Sequence, residues 1–283
     1  MAKNCVLCKG SGNKVVFREF DTAILKCTNC GHVFSSYGRA PDYDGYFGYA
    51  PVEESADLFW PDEAHKVMYD DFCRRFIVGR NGRLLDAGCG LGFFLKRMSD
   101  FRQWEASGCE ISQAAVDFAK DVLGLRNVFS GKAEDLDFRN NSFDIITLWD
   151  VIEHISDPAP LLSHLRTLLK NDGVLFIHTP NIEVALPVAR LTKLLFGMKA
   201  NLHYLEAKDH LNLYSVRTIS ALLYNSGFHS VEFIHLRPIQ SVAGSRSRLL
   251  KFVKNLWFYL SVILFKLSFG RINLDNLFVV ARK

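Results

Sequence analysis

Three groups of residues in this 283-residue chain have the types and spacing to do chemistry. The first is Asp86-Ala87-Gly88-Cys89-Gly90-Leu91-Gly92, a glycine-rich turn directly after the apolar pair Leu84-Leu85. Glycine is needed where backbone must approach a ligand closely and the turn visits dihedrals closed to other residues. About twenty residues on, Glu110 ends the next strand-like run, where a carboxylate can accept hydrogen bonds from both ribose hydroxyls of a nucleotide. The second group is Cys5-x-x-Cys8 and Cys27-x-x-Cys30, with eighteen residues between the pairs. That spacing suits four thiolates around one tetrahedral Zn2+, a closed and therefore structural site. A redox dithiol or an iron centre is the alternative. The third group is Asp150, Glu153 and His154, whose i, i+3, i+4 spacing places them on one face of a helix. His154 there can act as a general base, or the three can hold a divalent cation such as Mg2+ that acidifies a substrate hydroxyl. The plain alternative is that the acids stabilise a helix N-terminus and His154 packs.

The elements that must position these groups are legible as well. Arg83 to Ala87, Glu105 to Cys109, Asn127 to Phe129, Phe143 to Trp149 and Gly173 to His178 read as five successive strands with helical patterns between them. Two late strands, near Ser230 to His235 and Asn276 to Ala281, complete a doubly wound α/β fold with a mostly parallel seven-stranded sheet. The glycine turn, Glu110 and the acid–histidine run then all fall at the carboxyl edge of the sheet, where such folds bind ligands. His178, before Thr179-Pro180-Asn181, faces the same edge, and Trp149 ends the fourth strand, serving either a cofactor or the core. We divide the chain into a zinc-binding module (1–36), an aromatic loop and linker helix (37–80) and the α/β domain (81–283). In the loop, Tyr43, Tyr46, Phe47 and Tyr49 form either a lid or a packed linker. The linker helix, around Ala64 to Ile77, has apolar spacing at Val67, Phe72 and Phe76. Cys73, Cys89 and Cys109 lie in apolar contexts as small buried hydrophobes.

A dinucleotide oxidoreductase would need Gly-x-Gly-x-x-Gly; here Phe93 and Phe94 come directly after Gly-x-Gly-x-Gly. The ordered set of residues resembles the class I S-adenosylmethionine-dependent methyltransferases instead. Asp86 to Gly92 is similar to their first motif and Glu110, with Ile111 next to it, to their ribose acid. Gly131-Lys132-Ala133-Glu134-Asp135-Leu136 looks like the loop that contacts adenine, and Phe143 to His154 like the fourth strand and its succeeding helix. Leu168 to Ile177 looks like the turn into strand five. The resemblance implies that Asp86, Gly88, Gly90, Gly92, Glu110, Ile111, Ala133, Glu134, Asp135 and Trp149 contact S-adenosylmethionine. Ubiquinone-pathway O-methyltransferases have a similar acid-x-x-Glu-His run, which implies a metal role for Asp150, Glu153 and His154. In this family a segment like residues 180–215 caps the substrate, so His210 and His178 either meet the acceptor or serve a structural role. An N-terminal zinc segment is also known among such enzymes.

The expected activity is O-methylation of a small molecule: a sugar, a quinone-like phenol or a lipid-linked precursor. A ribosomal RNA base methyltransferase with a zinc module is the enzymatic rival, and a non-catalytic cofactor-binding scaffold the rival of another class. Net charge of +4 is too weak a bias to argue for nucleic acid, and Trp149-Asp150-Val151 lacks the Asn/Asp-Pro-Pro-aromatic pattern of many amino-group methylators. Seven cysteines without a signal-peptide pattern point to a reducing, cytoplasmic location. Residues 249–269 read as an apolar helix interrupted by Lys251, Lys254, Asn255 and Lys266, too short in its uninterrupted run to span a bilayer. It serves either peripheral contact with the inner face of a membrane or a homodimer or core contact.

Overall fold

The computed structural model describes residues 4–38, 65–200, 202, 204–237, 248–270 and 272–283. The aromatic loop with Tyr43, Tyr46, Phe47 and Tyr49 lies outside them. The N-terminal part holds β1 (Asn13–Glu19), β2 (Thr22–Cys27) and β3 (Val33–Ser35). The larger part runs α1 (Lys66–Phe76), β4 (Gly82–Ala87), α2 (Phe93–Met98), β5 (Trp104–Glu110), α3 (Gln113–Asp117) and β6 (Val128–Ser130). It continues as β7 (Phe143–Trp149), α4 (Pro158–Leu168), β8 (Leu169–Thr179), α5 (Ile182–Phe196) and β9 (Asn212–Leu213). The last elements are α6 (Val216–Asn225), β10 (Ser230–Ile234), α7 (Arg248–Leu267) and β11 (Leu277–Arg282).

Seven strands form one sheet in the order β10-β11-β8-β7-β4-β5-β6, in which β11 alone runs antiparallel to its neighbours. The pleat sends alternate residues to opposite faces. Leu85, Ala87, Ile146, Leu148, Leu175 and Ile177 pack on one face beneath α4 and α6. Leu84, Ile145, Trp149, Val174 and Phe176 pack on the other beneath α1 and α2. Strands covered on both faces must be apolar at every position, which explains their near-continuous hydrophobic runs. The order places β4 between β5 and β7, so consecutive crossovers leave β4 in opposite directions and open a crevice at its carboxyl end.

The second sheet is four-stranded, β1-β2-β3-β9, and its last strand comes from the segment after β8. The cysteine-bearing part is therefore sewn onto the larger part. The Glu19 carboxylate accepts from Leu205 N and Ala207 N at 3.1 and 3.2 Å, and Ser35 Oγ donates to Ala207 O. Phe17, Ile24 and Val33 share a core with Ile182, Ala189, Leu205 and Leu213.

Candidate active site

The turn after β4 is shaped by its glycines and held by β5. Gly88 N and Cys89 N both donate to Cys109 O, at 2.8 and 3.0 Å. Gly88, Gly90 and Gly92 have φ of +75°, +50° and +84°, the left-handed region that a side chain resists. A Cβ on Gly88 would also come within 2.7 Å of Val151 Cγ2. Glu110, at the end of β5, accepts from Gly90 N on Oε2 and from Ser112 N on Oε1, each at 3.0 Å. Two backbone donors thereby orient a carboxylate, a group that accepts about four hydrogen bonds in all. Asp86 is buried and accepts from Thr147 Oγ1 at 2.7 Å. Burial pushes its carboxyl up to about 7, against the Thr147 hydrogen bond and with the help of the Glu110 charge. Ile111 is 37% exposed beside Glu110. Ala133 is buried, and Glu134 and Asp135 are exposed, on a short 3-10 turn at Ala133–Asp135.

The turn after β7 departs from the expected helix. Asp150 has φ +52°, residues 152–154 form a turn, and α4 starts only at Pro158. A left-handed residue breaks helical phase, so Asp150, Glu153 and His154 do not share a helix face. Asp150 Oδ1 lies 2.9 Å from His178 Nδ1 and its Oδ2 lies 3.5 Å from His65 Nε2. Burial raises the Asp150 carboxyl, but the two histidines outweigh it and hold the group well below the usual carboxylate range. The Asn276 amide lies 3.1 Å from His178 Nε2; donating there, it places the His178 proton on Nδ1, toward Asp150.

Glu153 turns the other way. It is buried, its Oε2 accepts from Thr179 Oγ1 at 2.9 Å, and its Oε1 has no partner among the described residues. Burial and the Asp150 charge push its carboxyl far above the usual range. His154 Nδ1 donates to Asp209 O at 3.0 Å, which puts its lone pair on Nε2. Its ring stands 4.9 Å from that of His210, and burial together with His210 lowers its pKa. Ligand atoms of Glu153, His154 and His210 lie within 4.8 Å of one another. The fold thus gathers Glu153, His154 and His210 in place of the expected trio, and sends Asp150 to His178. Trp149 is buried among Tyr69, Phe72, Phe94 and Phe176, with ring centroids 4.7–5.4 Å away.

A family model described as a methyltransferase domain matches residues 63–232, more than half of the chain. The chain belongs to that methyltransferase family. The ubiquinone biosynthesis O-methyltransferase of Neisseria meningitidis is 31% identical over 145 residues, 47% of this chain and 61% of that protein. Its counterpart in Parvibaculum lavamentivorans is 34% identical over 103 residues, 35% of this chain and 40% of that protein. The match thus spans about half the length of these curated relatives. Among solved structures, a SAM-dependent methyltransferase from Archaeoglobus fulgidus aligns with a TM-score of 0.51 at 19% identity, covering 81% of this chain and 100% of the other. A protein from Pyrococcus horikoshii aligns at 0.53 and 16%, covering 84% and 98%. These two likenesses show the fold. Family model and relatives agree on a methyltransferase domain.

In this methyltransferase the N-terminal cysteines converge. Cys5 Sγ lies 3.5 Å from Cys30 Sγ and Cys8 Sγ 3.5 Å from Cys27 Sγ, with all four sulfurs within 4.8 Å of one another. Tetrahedral Zn–S bonds of about 2.3 Å separate their sulfurs by about 3.8 Å, so the cluster has the size of a four-thiolate site. The thiols diverge electrostatically: the Gly10 backbone draws Cys8 down to about 6, and burial pushes Cys30 up to about 12. Three residues outside the sequence-derived set complete the site. Asn212 Nδ2 donates to Ile155 O at 2.7 Å and its Oδ1 lies 2.9 Å from His32 Nε2, tying the β7 turn to the cysteine-bearing sheet. His65 and Asn276 supply the remaining polar contacts of the Asp150–His178 pair. No spacing rule marks these three; their roles arise only where the strand ends meet.

Proposed function

We propose that the enzyme methylates a hydroxyl oxygen of a small-molecule acceptor, with His154 as the proton acceptor. The observation that carries this reading is the His154 imidazole, whose Nδ1–H is held by Asp209 O while Nε2 keeps its lone pair, beside His210 and Glu153. The acceptor oxygen attacks the sulfonium methyl carbon in line. The carbon–sulfur bond breaks with its electron pair going to sulfur, S-adenosylhomocysteine departs, and the hydroxyl proton passes to His154 Nε2. In this reading Glu110 holds the ribose hydroxyls, Ile111 and the Ala133–Asp135 turn border the adenine, and the glycine turn admits the rest of the donor. The Asp150–His178 pair acts as a positioning element. The names of the O-methyltransferase relatives support oxygen as the accepting atom. The test is S-adenosylhomocysteine formation with a panel of phenols and sugars. His154→Ala is expected to lower kcat by about a hundredfold or more while S-adenosylmethionine affinity holds. An unchanged kcat in that variant rules out the assigned base.

Two metal roles accompany this reading. Cys5, Cys8, Cys27 and Cys30 would hold one structural Zn2+, standing in for a core that so short a segment cannot build. Metal analysis should find one zinc per chain, lost with Cys27→Ser. Glu153, His154 and His210 offer two imidazoles and a carboxylate, a set that fits Zn2+, Mn2+ or Fe2+ better than the oxygen-demanding Mg2+. Such an ion would acidify a substrate hydroxyl. Activity that disappears on EDTA treatment and returns with Mn2+ would give the trio that role in place of His154 as the base.

A further inference from the structure

A helix packed on a water-soluble body turns its apolar stripe inward. In α7 large apolar side chains also cover the outer side. Ser261 is 1% exposed, and Asn255, Phe258, Val262 and Phe265 are half-buried on the same side, where the Phe265 ring meets His235 at 4.8 Å. Phe252, Leu256, Tyr259, Leu260, Ile263 and Leu267 are 46–72% exposed. At 100° per residue these six fall within an arc of roughly 100° on the outer side. Scattered surface hydrophobes are ordinary, but a continuous arc of large ones marks a surface made for a non-aqueous neighbour.

Charge decides which neighbour. Residues 241–274 contain Arg246, Arg248, Lys251, Lys254, Lys266 and Arg271 and no acid. Residues 184–205 contain Lys199 together with Arg190 and Lys193, which donate to Val16 O and Arg18 O of β1, and no acid, and there α5 leaves Leu191, Leu194 and Phe196 more than half exposed. Nine of the 34 cations and none of the 30 acids lie in these two segments, so the rest of the chain carries a net −5. A two-fold contact between copies through α7 would bring this cationic segment against its own counterpart. An anionic bilayer surface accepts both features: apolar and aromatic side chains enter the headgroup boundary while Lys and Arg meet phosphates. Among the described residues no helix is long and apolar enough to cross a membrane, so α7 would lie on the surface.

We infer that the outer face of α7 docks the methyltransferase on an anionic lipid surface. The helix connects directly to the candidate site. Trp257 Nε1 donates to Leu274 O at 3.0 Å, and two residues later Asn276 contacts His178. Asn181, the N-cap of α5, donates to Asn273 O and Asp275 O in the same segment. The segment that follows α7 therefore runs from the proposed docking helix to the Asp150–His178 pair.

The test uses the full chain and vesicles of phosphatidylcholine alone or mixed with phosphatidylglycerol, read by co-sedimentation, and it requires no methyl acceptor. Binding is expected only to the mixed vesicles, and to weaken as salt rises. Leu260→Glu combined with Ile263→Glu, two exposed positions outside the candidate site, should cut partitioning by at least about tenfold while S-adenosylmethionine affinity stays unchanged. The inference falls if the native chain ignores the mixed vesicles or if the double variant binds them as well as the native chain. A concentration-dependent dimer that the double variant abolishes, with no vesicle binding, would assign the face to a second copy.

Discussion

Two turns leave the carboxyl edge of the adjacent strands β4 and β7, and they are built on different principles. The first, at Gly88 to Gly92, takes its shape from three positive-φ glycines and its anchors from the end of the next strand, Cys109 O and the Glu110 carboxylate. The second, at Asp150 to Ile155, is charged, and its polar groups are held by residues distant along the chain. Asp150 meets His178 and His65, Glu153 meets Thr179, His154 meets Asp209 O, and Ile155 O meets Asn212. A turn made by dihedral permission carries its instructions in its own residues. A turn made by distant partners has conformations that depend on the whole fold.

The comparison can be broken in several places. Asn212→Ala should do most damage, because it leaves His32, buried, and Ile155 O without their partner; a loss of about 3–5 kcal/mol in denaturant unfolding is expected. A loss below about 1 kcal/mol would show that the second turn stands without that anchor. Gly88→Val should weaken S-adenosylmethionine binding about a hundredfold by calorimetry, through positive φ and collision with Val151. Gly88→Ala joined to Val151→Ala should recover the collision part and keep only the dihedral cost of about 1–2 kcal/mol, separating the first turn's own strain from its contact with the second.

Smaller effects sharpen the same contrast. Asp86 titrates near 7 in the fold against 3.8 when exposed, so the folded state binds the extra proton between those values. Its contribution is therefore fully present below pH 3.8 and is lost as pH rises to about 7; from pH 5 to 7 the loss should be about 2 kcal/mol. Asp86→Asn should flatten that part of the stability profile, and a profile identical to the native one would remove Asp86 as its source. The smallest difference separates Asp150→Ala from Asp150→Asn. Asn tolerates φ of +52° and Ala does not, so Ala should unfold about 1 kcal/mol more easily.

The seven strands, their order of appearance, the glycine turn and the cysteine cluster were all legible in the chain. Buried parallel strands announce themselves as short apolar runs between glycine and acid punctuation, and Cys-x-x-Cys spacing allows few geometries. Glu110 was legible because a carboxylate at that strand end has a fixed place relative to the glycines. The reading of Asp150, Glu153 and His154 as one helical face failed because Asp150 adopts a left-handed backbone. No periodicity argument foresees that, since its ion partners sit at His65 and His178, 85 and 28 residues away along the chain.

By itself the amino-acid sequence determined the α/β class, the methyltransferase family and the glycine turn after β4. These rest on local properties: dihedral freedom, pleat periodicity and spacing within a few residues. Only the tertiary structure decided that His210 joins Glu153 and His154, that Asn212 ties the second turn to the cysteine-bearing sheet, and that α7 turns its apolar arc outward. Each of those depends on which strand ends and which buried charges meet in space. Burial sets the energy of such meetings, and burial is a property of the whole fold.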